Sequence, residues 1–493
     1  MKTNTLDFDA QALREKILDL AMRGKLVPQD PNDESASVLL EKIKAEKEQL
    51  IKEKKIKKSK PLAPITDDEK PFDIPDSWEW VRLGDTANYI QRGRSPKYDK
   101  ENKIYPIISQ KCVQWNSISL KDAKFVTKEF LNKLESYRFV KRNDILWNST
   151  GTGTVGRLNI VSDDFNKVPV DSHVTLIRTN SNINSKFIYY YLMSPIIQNN
   201  LNDYLTGTTK QKELGLSSIL KVNIPLPPLS EQSRIAAKIA QLFALLRKVE
   251  SSTQQYAKLQ TLLKSKVLDL AMRGKLVKQD PNDEPASVLL EKIKAEKAEI
   301  VKEKKIKKSK PLPPITDEEK PFDIPDSWEW VRLGDVYHFV DYRGKTPHKI
   351  SSGIRLITAK NVRNGYIKLE PEEFISLEEH KERSTRGLIN KGDIFITTEA
   401  PMGLVALNNF DEPIATAQRL ITLQKVSKYQ DSSFAAFQMQ SSFFQKELQQ
   451  KATGSTVKGI KASNLKQVLI LIPPLAEQRR TVKKISQVLK LLK

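Results

Sequence analysis

From Ile235 onward, apolar residues recur at alternating steps of four and three, at positions 235, 239, 242, 246, 249, 253, 256, 260, 263, 267 and 270. Nine of these eleven are apolar, with Thr253 and Gln260 the exceptions. This spacing predicts one long helix carrying a coiled-coil seam over five heptads. The run VNIPLP before it reads as a strand ended by Pro227 and Pro228. Ser230 is expected to cap the helix, because its hydroxyl can accept an orphan backbone N–H, and Gly274 to stop it. Roughly 40 helical residues would extend about 60 Å. A second helix is expected from Ala286 to about Lys305, packing back on the first through Leu289, Leu290, Ile293 and Ile300. A helix over Gln11–Val27 repeats the second half of the long one, and a helix over Leu475–Lys493 repeats its first half. Set end to end they rebuild it. The expectation is a circular arrangement of termini and a pseudo-two-fold molecule made from one chain.

The repetition is extensive. Residues 17–85 and 267–335 differ at nine of 69 positions, and both close on WEWVRLGD. A second pair starts at Gly207 and Gly454 and runs through PLPPLSEQSRI and LIPPLAEQRRT. Two variable stretches, roughly 86–206 and 336–453, lie between these frames. They share a skeleton: RGRSP from Arg92 matches RGKTP from Arg343, PIISQKCV matches RLITAKNV, and KRNDILW matches NKGDIFI. Drift after duplication would not spare the frames and scramble the middles. The expected fold class is α+β: two α/β domains related by a pseudo-two-fold and separated by an antiparallel helical coiled coil. The expected division is an N-terminal helical segment 1–70, a first domain 71–229, a central helical region 230–320, a second domain 321–474 and a C-terminal helix 475–493.

Composition narrows the partner. Across 493 residues the formal net charge is +22 and the pI about 9.6. A surplus of this size points to a polyanion, usually nucleic acid. Each frame holds a lysine-rich stretch, Glu41–Lys60 and Glu291–Lys310, with nine lysines against four glutamates. Such runs are usually solvated faces, with non-specific DNA attraction the second reading. The single cysteine, Cys112, permits no disulfide framework, and His173, His338, His348 and His380 have no metal-ligand spacing. The N-terminal sequence lacks a secretory apolar core and no run approaches a membrane span, so a cytoplasmic setting without membrane partners is expected.

Several motifs invite a catalytic reading and fail it. Gly151-Thr-Gly153-Thr-Val-Gly156 matches G-x-G-x-x-G, but the continuation RLNIV reads as a strand, where a dinucleotide site needs a helix N-terminus. Arg157-Leu158 also stands where a P-loop needs Lys-Ser/Thr. Pro75-Asp76 with Glu101-Asn-Lys103 resembles a PD…ExK nuclease site, yet the repeated Pro325-Asp326 has no partner at similar spacing. No N-P-P-F or D-P-P-Y tetrapeptide is present to hold an adenine for methylation.

Two variable units between duplicated helical frames, closed by PLPPLSEQ and LIPPLAEQ and opened by WEWVRLGD, resemble the specificity subunits of type I restriction–modification systems over essentially the whole chain. The resemblance implies two target-recognition domains on an antiparallel coiled coil, each reading half of a split double-stranded DNA site. It implies docking of two modification subunits that use S-adenosylmethionine. It also implies later association with restriction subunits that use ATP and Mg. No cofactor and no catalysis would belong to this chain. A coiled-coil DNA-binding architectural protein without enzyme partners is the alternative.

Half-site reading needs cations for phosphates and amide, guanidinium or imidazole groups for base edges. The matched loops of the first unit offer Arg92, Arg94, Lys97, Lys111, Trp115, Asn116, Asn148, His173, Lys210, Gln211 and Lys212. Those of the second offer Arg343, Lys345, Lys360, Asn361, Arg363, Gln418, Arg419, Thr456 and Lys458. His173 is expected near the position of Gln418.

Overall fold

The computed structural model describes residues 8–207, 212–342, 346–384, 387–454 and 458–492. The chain divides into two compact units, whose described residues lie within 8–253 and 254–492. Each is an α+β assembly of helical frame and antiparallel sheet.

The first unit opens with α1 (Ala10–Met22) and α2 (Ala36–Lys52). Strand β1 (Glu79–Arg82) leads into β2 (Ala87–Arg92), β3 (Ile145–Asn148), β4 (Leu158–Ile160) and β5 (Val174–Thr179). Helix α3 (Ser185–Met193) and β6 (Asn223–Leu226) precede the long α4 (Leu229–Met272), whose first half closes the unit. The variable stretch forms an antiparallel sheet in the order β2-β5-β3-β4. Alternation along β3 sends Ile145 and Trp147 to one face, with Phe187, Tyr191, Ile235 and Ile239, and Leu146 to the other, with Ile108, Val170 and Leu176. The sheet thus carries a core on both sides.

The second unit repeats the plan. It comprises the second half of α4, then α5 (Ala286–Lys302), β7 (Glu329–Arg332), β8 (Tyr337–Asp341), β9 (Ile394–Thr397), β10 (Val405–Leu407), β11 (Leu420–Lys425), α6 (Ser432–Met439), β12 (Leu469–Ile472) and α7 (Leu475–Leu491). Its sheet order is β8-β11-β9-β10, again antiparallel.

In each unit the strand that opens the variable stretch pairs with the strand that closes it. Glu79 to Arg82 lie opposite Leu226 to Asn223, and Glu329 to Arg332 opposite Ile472 to Leu469. This two-stranded clamp is locked to the helices by a buried carboxylate. Glu231 accepts the indole N–H of Trp78 at 2.9 Å and the amide of Gln29 at 2.6 Å. Glu477 does the same for Trp328 and Gln279, at 2.9 and 2.6 Å. The following glutamine completes the joint: Gln232 donates to the Pro227 carbonyl and accepts from the Asn184 N–H. Gln478 likewise donates to the Pro473 carbonyl and accepts from the Asp431 N–H. The PPL-x-EQ sequence is therefore a structural latch.

Three expectations change. Ser230 lies inside the first turn of α4 and donates to Asp33, beside the Arg234–Asp33 pair, so it is no cap. Leu289, Leu290 and Ile293 pack with Val336, Val426 and Leu465 in a cluster that contains no residue of α4, with Ile300 against its edge. The hydrophobic demand of the variable domain outcompetes the helix there. The heptad seam is real but covered only toward its ends. Ile235, Ile239, Leu246 and Val267 are buried, while Val249, Tyr256 and Leu263 are 44%, 54% and 45% exposed. The reason is length. Within the first unit α1 runs antiparallel to α4, with Arg14 on Glu250 and Gln29 on Glu231. Within the second, α7 runs antiparallel to it, with Gln279 on Glu477 and the Gln260 amide on the Leu492 carbonyl. The exposed positions lie where the described short helices run out, α1 beginning at Ala10 and α7 ending at Leu491. Gly274 ends α4 as expected, with φ +67° at Gly24 and +66° at Gly274 in the two copies.

Trp78→Phe keeps an aromatic ring but strands the Glu231 carboxylate oxygen in the core. A loss of about 1–3 kcal/mol from the first unit is expected, read as a lower urea midpoint at unchanged slope. Burial pushes the Glu231 carboxyl above its ordinary range, outweighing the donors from Trp78 and Gln29. The folded state therefore holds its proton more tightly than the unfolded chain. Stability from this group rises as pH falls through the raised folded value toward the unfolded one. Glu231→Gln, which cannot titrate, should fall further behind the native chain at pH 5 than at pH 7 in thermal unfolding.

Candidate nucleic-acid interface

At one end of the first unit's sheet four segments meet: the exit of β2, the β3–β4 turn, the entry to β5 and the stretch before Leu214. Backbone bonds hold them. Ser149 N–H donates to the His173 carbonyl at 2.8 Å, Leu214 N–H to the Ser149 carbonyl at 2.8 Å, and Gly93 N–H to the Val174 carbonyl at 3.2 Å. The second unit repeats the first two of these bonds. Thr398 N–H donates to the Arg419 carbonyl at 2.9 Å, and Ile460 N–H to the Thr398 carbonyl at 2.9 Å. By this register His173 in the first unit is the counterpart of Arg419 in the second, one residue beyond Gln418.

The side chains on this shared backbone differ. In the first unit exposed His173 has its Nδ1 2.7 Å from Thr150 Oγ1, and its backbone N–H donates to buried Asp171 at 2.9 Å. Arg94 is exposed and pairs with Glu135 at 3.0 Å. In the second unit Arg419 occupies a left-handed backbone conformation, φ +66°, and reaches Glu399 at 2.8 Å, while the Gln418 amide donates to Thr346 at 3.1 Å. Both rims offer donors and acceptors of different geometry.

Some expected contact residues are structural ties. Arg92 bonds Glu213 at 2.9 Å and the Leu214 carbonyl at 2.7 Å, joining two loops. Asn148 is fully buried and donates to the Gln110 carbonyl at 3.0 Å. Asn361, equally buried, accepts from Thr358 and donates to the carbonyls of Lys368 and Pro371. Arg363 is half-buried over the carbonyls of Lys360 and Val362. Lys97, Lys111, Lys360 and Lys458 are exposed, and Lys212 is exposed with its ammonium 3.1 Å from Asn202. Trp115 and Asn116 lie elsewhere: they line a cleft of about 940 Å³ with Gln11 and Arg14 of α1, Tyr189 and Tyr190 of α3, and Phe243 and Arg247 of α4. Lys210, Gln211, Arg343, Lys345 and Thr456 fall outside the described residues.

Sequence reading missed Thr150, Glu399 and Glu213. Thr150 and Glu399 sit in turns that differ in residues and in length, 149–157 against 398–404, and only the strand register reveals their equivalence. The glycines of the G-x-G-x-x-G match turn the chain between β3 and β4, with φ +105° at Gly151, +73° at Gly153 and +88° at Gly156. A strand follows, so no helix end is available for a pyrophosphate. The matched KRNDILW and NKGDIFI motifs are turn closures. Asp144 accepts from the Lys141 N–H and binds Arg178 at 2.6 and 2.8 Å, and Asp393 accepts from the Asn390 N–H and from Gln424. Burial pushes both carboxyls up. Among the described residues no group of three His, Cys, Asp or Glu side chains is placed to hold a metal. What the two rims can do is form hydrogen bonds and ion pairs with an anionic, edge-bearing ligand.

The family described as Type I restriction modification DNA specificity domain matches residues 75–260 and 325–493. The Escherichia coli type I restriction enzyme EcoAI specificity subunit is 34% identical over 98% of this chain and 89% of its own length. The Escherichia coli EcoEI specificity subunit is 30% identical over 98% and 89%. A solved chain from work on complex assembly and conformational transition of the type I R-M system superposes with TM-score 0.53 at 19% identity, covering 86% of this chain and 92% of that one.

Gly93 tests the rim's dependence on backbone approach. A Cβ there would lie 1.9 Å from the Val170 carbonyl oxygen and 2.4 Å from that of Asp171. Backbone on one side and the β2 exit on the other leave no room. Gly93→Ala is expected to displace the loop that carries Arg94 and to weaken DNA binding through the first unit at least tenfold, while the fold-reporting circular dichroism stays within error. Unchanged affinity would show that this loop does not shape the rim.

Proposed function

The chain belongs to the type I restriction–modification DNA specificity family, and we propose from that premise that each of its two units reads one half of a bipartite duplex site. It is the DNA specificity subunit of a type I system, a non-catalytic component. The observation that carries the half-site reading is one backbone scaffold displaying two different sets of side chains: His173, Thr150 and Arg94 in one unit, Arg419, Glu399 and Gln418 in the other. A guanidinium and an imidazole select different base edges in the major groove, while exposed Lys97, Lys111, Lys360 and Lys458 suit phosphates. Lys210, Gln211, Lys212, Arg343, Lys345 and Thr456 belong to the same proposed surface by sequence position.

The finer partners follow the same proposal. Two modification subunits, using S-adenosylmethionine, dock on the helices, and restriction subunits using ATP and Mg join them. Support comes from uncovered apolar positions on α4: Leu245 and Val249 in the first unit, Tyr256, Leu259, Leu262 and Leu263 in the second, each between 44% and 64% exposed. Large aliphatic and aromatic side chains at helical spacing in water mark a protein-binding face.

The clamp of β1 with β6 makes the first variable stretch replaceable. Exchanging residues 86–206 for the equivalent stretch of a relative is expected to change one half of the methylated sequence and leave the other half intact, by methylation mapping of a host carrying the system. A change in both halves would refute independent reading.

A further inference from the structure

We infer that the two lysine-rich segments that follow α2 and α5 are a second, sequence-independent contact with the DNA phosphate backbone, separate from the loops that choose bases. The inference rests on the reading of the chain as a DNA-binding subunit.

The segments are KEKKIKKSK, at 52–60 and again at 302–310, identical in both frames. The stretches Glu41–Lys60 and Glu291–Lys310 each carry +5, so together they supply +10 of the chain's +22. Nearly half of the positive surplus therefore lies outside the variable units. The lysines are solvent-exposed in both copies. Lys55 pairs with Glu53 and Lys305 with Glu303, each at 2.7 Å. Lys57, Lys58, Lys60, Lys307, Lys308 and Lys310 make no ion pair among the described residues.

The fold puts these charges in a defined place. Half-buried Lys47 donates to the carbonyls of Gly84 and Asp85, and Leu62 packs where a side chain at Gly84 would stand. Lys297 and Leu312 repeat this at Gly334 and Asp335. Both ends of each segment are thus pinned at the start of β2 or β8, and the reading loops leave the other end of those strands. The separation is about 17–20 Å along a strand of five or six residues. Each α2 and α5 helix ends with a lysine in the left-handed region, φ +58° at Lys54 and +59° at Lys304, where glycine or asparagine is favoured. A cationic side chain is kept there twice at a conformational cost of about 1 kcal/mol.

The chemistry favours phosphate over a protein partner. Where this chain builds shaped contacts to carboxylates it uses arginine, as in Arg82–Glu69, Arg178–Asp144 and Arg234–Asp33. The two segments contain no arginine at all. Lysine is a hydrated point charge suited to a diffuse polyanion rather than to planar bidentate recognition. Identity between the copies fits a ligand that is the same on both sides, as a phosphate backbone is and a pair of different half-sites is not.

The test uses the full chain with Lys57, Lys58, Lys60, Lys307, Lys308 and Lys310 all changed to Gln, checked for folding by circular dichroism and urea unfolding. Binding to two duplexes of unrelated sequence is measured by fluorescence anisotropy from 50 to 200 mM NaCl. Each phosphate contact contributes about 0.9 to the slope of log K against log salt. The expected result is a slope shallower by about 3 to 5 and an affinity at 100 mM salt at least about tenfold lower, by the same factor on both duplexes. An unchanged slope, or a wild-type chain whose binding shows no salt dependence, overturns the inference. Weakened assembly with modification subunits at unchanged slope overturns it in favour of an acidic protein surface. An Arg94→Ala control reports on the reading loops separately: a methylated sequence left unaltered by that change counts against half-site reading and leaves the lysine result to stand alone.

Discussion

Each unit depends on one carboxylate held away from water. Glu231 and Glu477 are about 1% exposed, and each satisfies its two oxygens with an indole N–H and a glutamine amide. A charge in that position is tolerated only while both donors are present, because an unpaired buried carboxylate is strongly disfavoured. The donors come from distant parts of the chain: Gln29 from the turn after α1 and Trp78 from the residue before β1. The carboxylate therefore fixes the opening helix, the opening strand and the closing helix at one point. The neighbouring Asp33–Arg234 and Asp283–Arg480 pairs reinforce it from the surface.

That joint explains why the intervening sequence is free to differ. The variable stretch enters and leaves through two paired strands whose register is set by the frame. Inside, the sheet order is the same in both units, and so are two bonds that gather the loops at its end, those of Ser149 and Leu214 and those of Thr398 and Ile460. Backbone N–H and carbonyl groups carry the scaffold, so side chains can change without moving it. Where a side chain does hold a loop, as with Asn148, Asn361 and Arg92, it is buried or bridged and unavailable for display.

The division between what was legible and what was not follows the same line. Repetition at an offset of 250 exposed the frames, the prolines and Gly274 marked the ends of α4, and the matched motifs located the loops. The α+β class and the two-unit plan follow from these. Coverage of the α4 seam was not legible, because periodicity says which face is apolar and not how far a partner helix reaches. The packing of α5 was misread for a related reason: its apolar face fits a sheet as well as a helix, and Val336, Val426 and Leu465 are distant in sequence. An asparagine that ties a loop and one left at the surface have the same neighbours in sequence, Trp-Asn-Ser at both 115–117 and 147–149. Burial and place in the fold separate Asn148, tied to the Gln110 carbonyl, from Asn116 in the cleft beside α1.

The latch also has a consequence for how the chain is made. Arg14 meets Glu250 across 236 residues, so α1 leaves the ribosome long before the segment that completes its unit. At about 5–20 residues per second the wait is roughly 10–50 s. During it α1 and Trp78 have no carboxylate to join. The second frame repeats the first with nine differences in 69 positions, so both latches meet the same kinds of donor, Gln29 and Trp78 in one and Gln279 and Trp328 in the other. What keeps them apart is order of emergence: Glu231 arrives when only Gln29 and Trp78 exist to meet it. Refolding from denaturant removes that order, and with it the separation in time between two near-identical sets of donors.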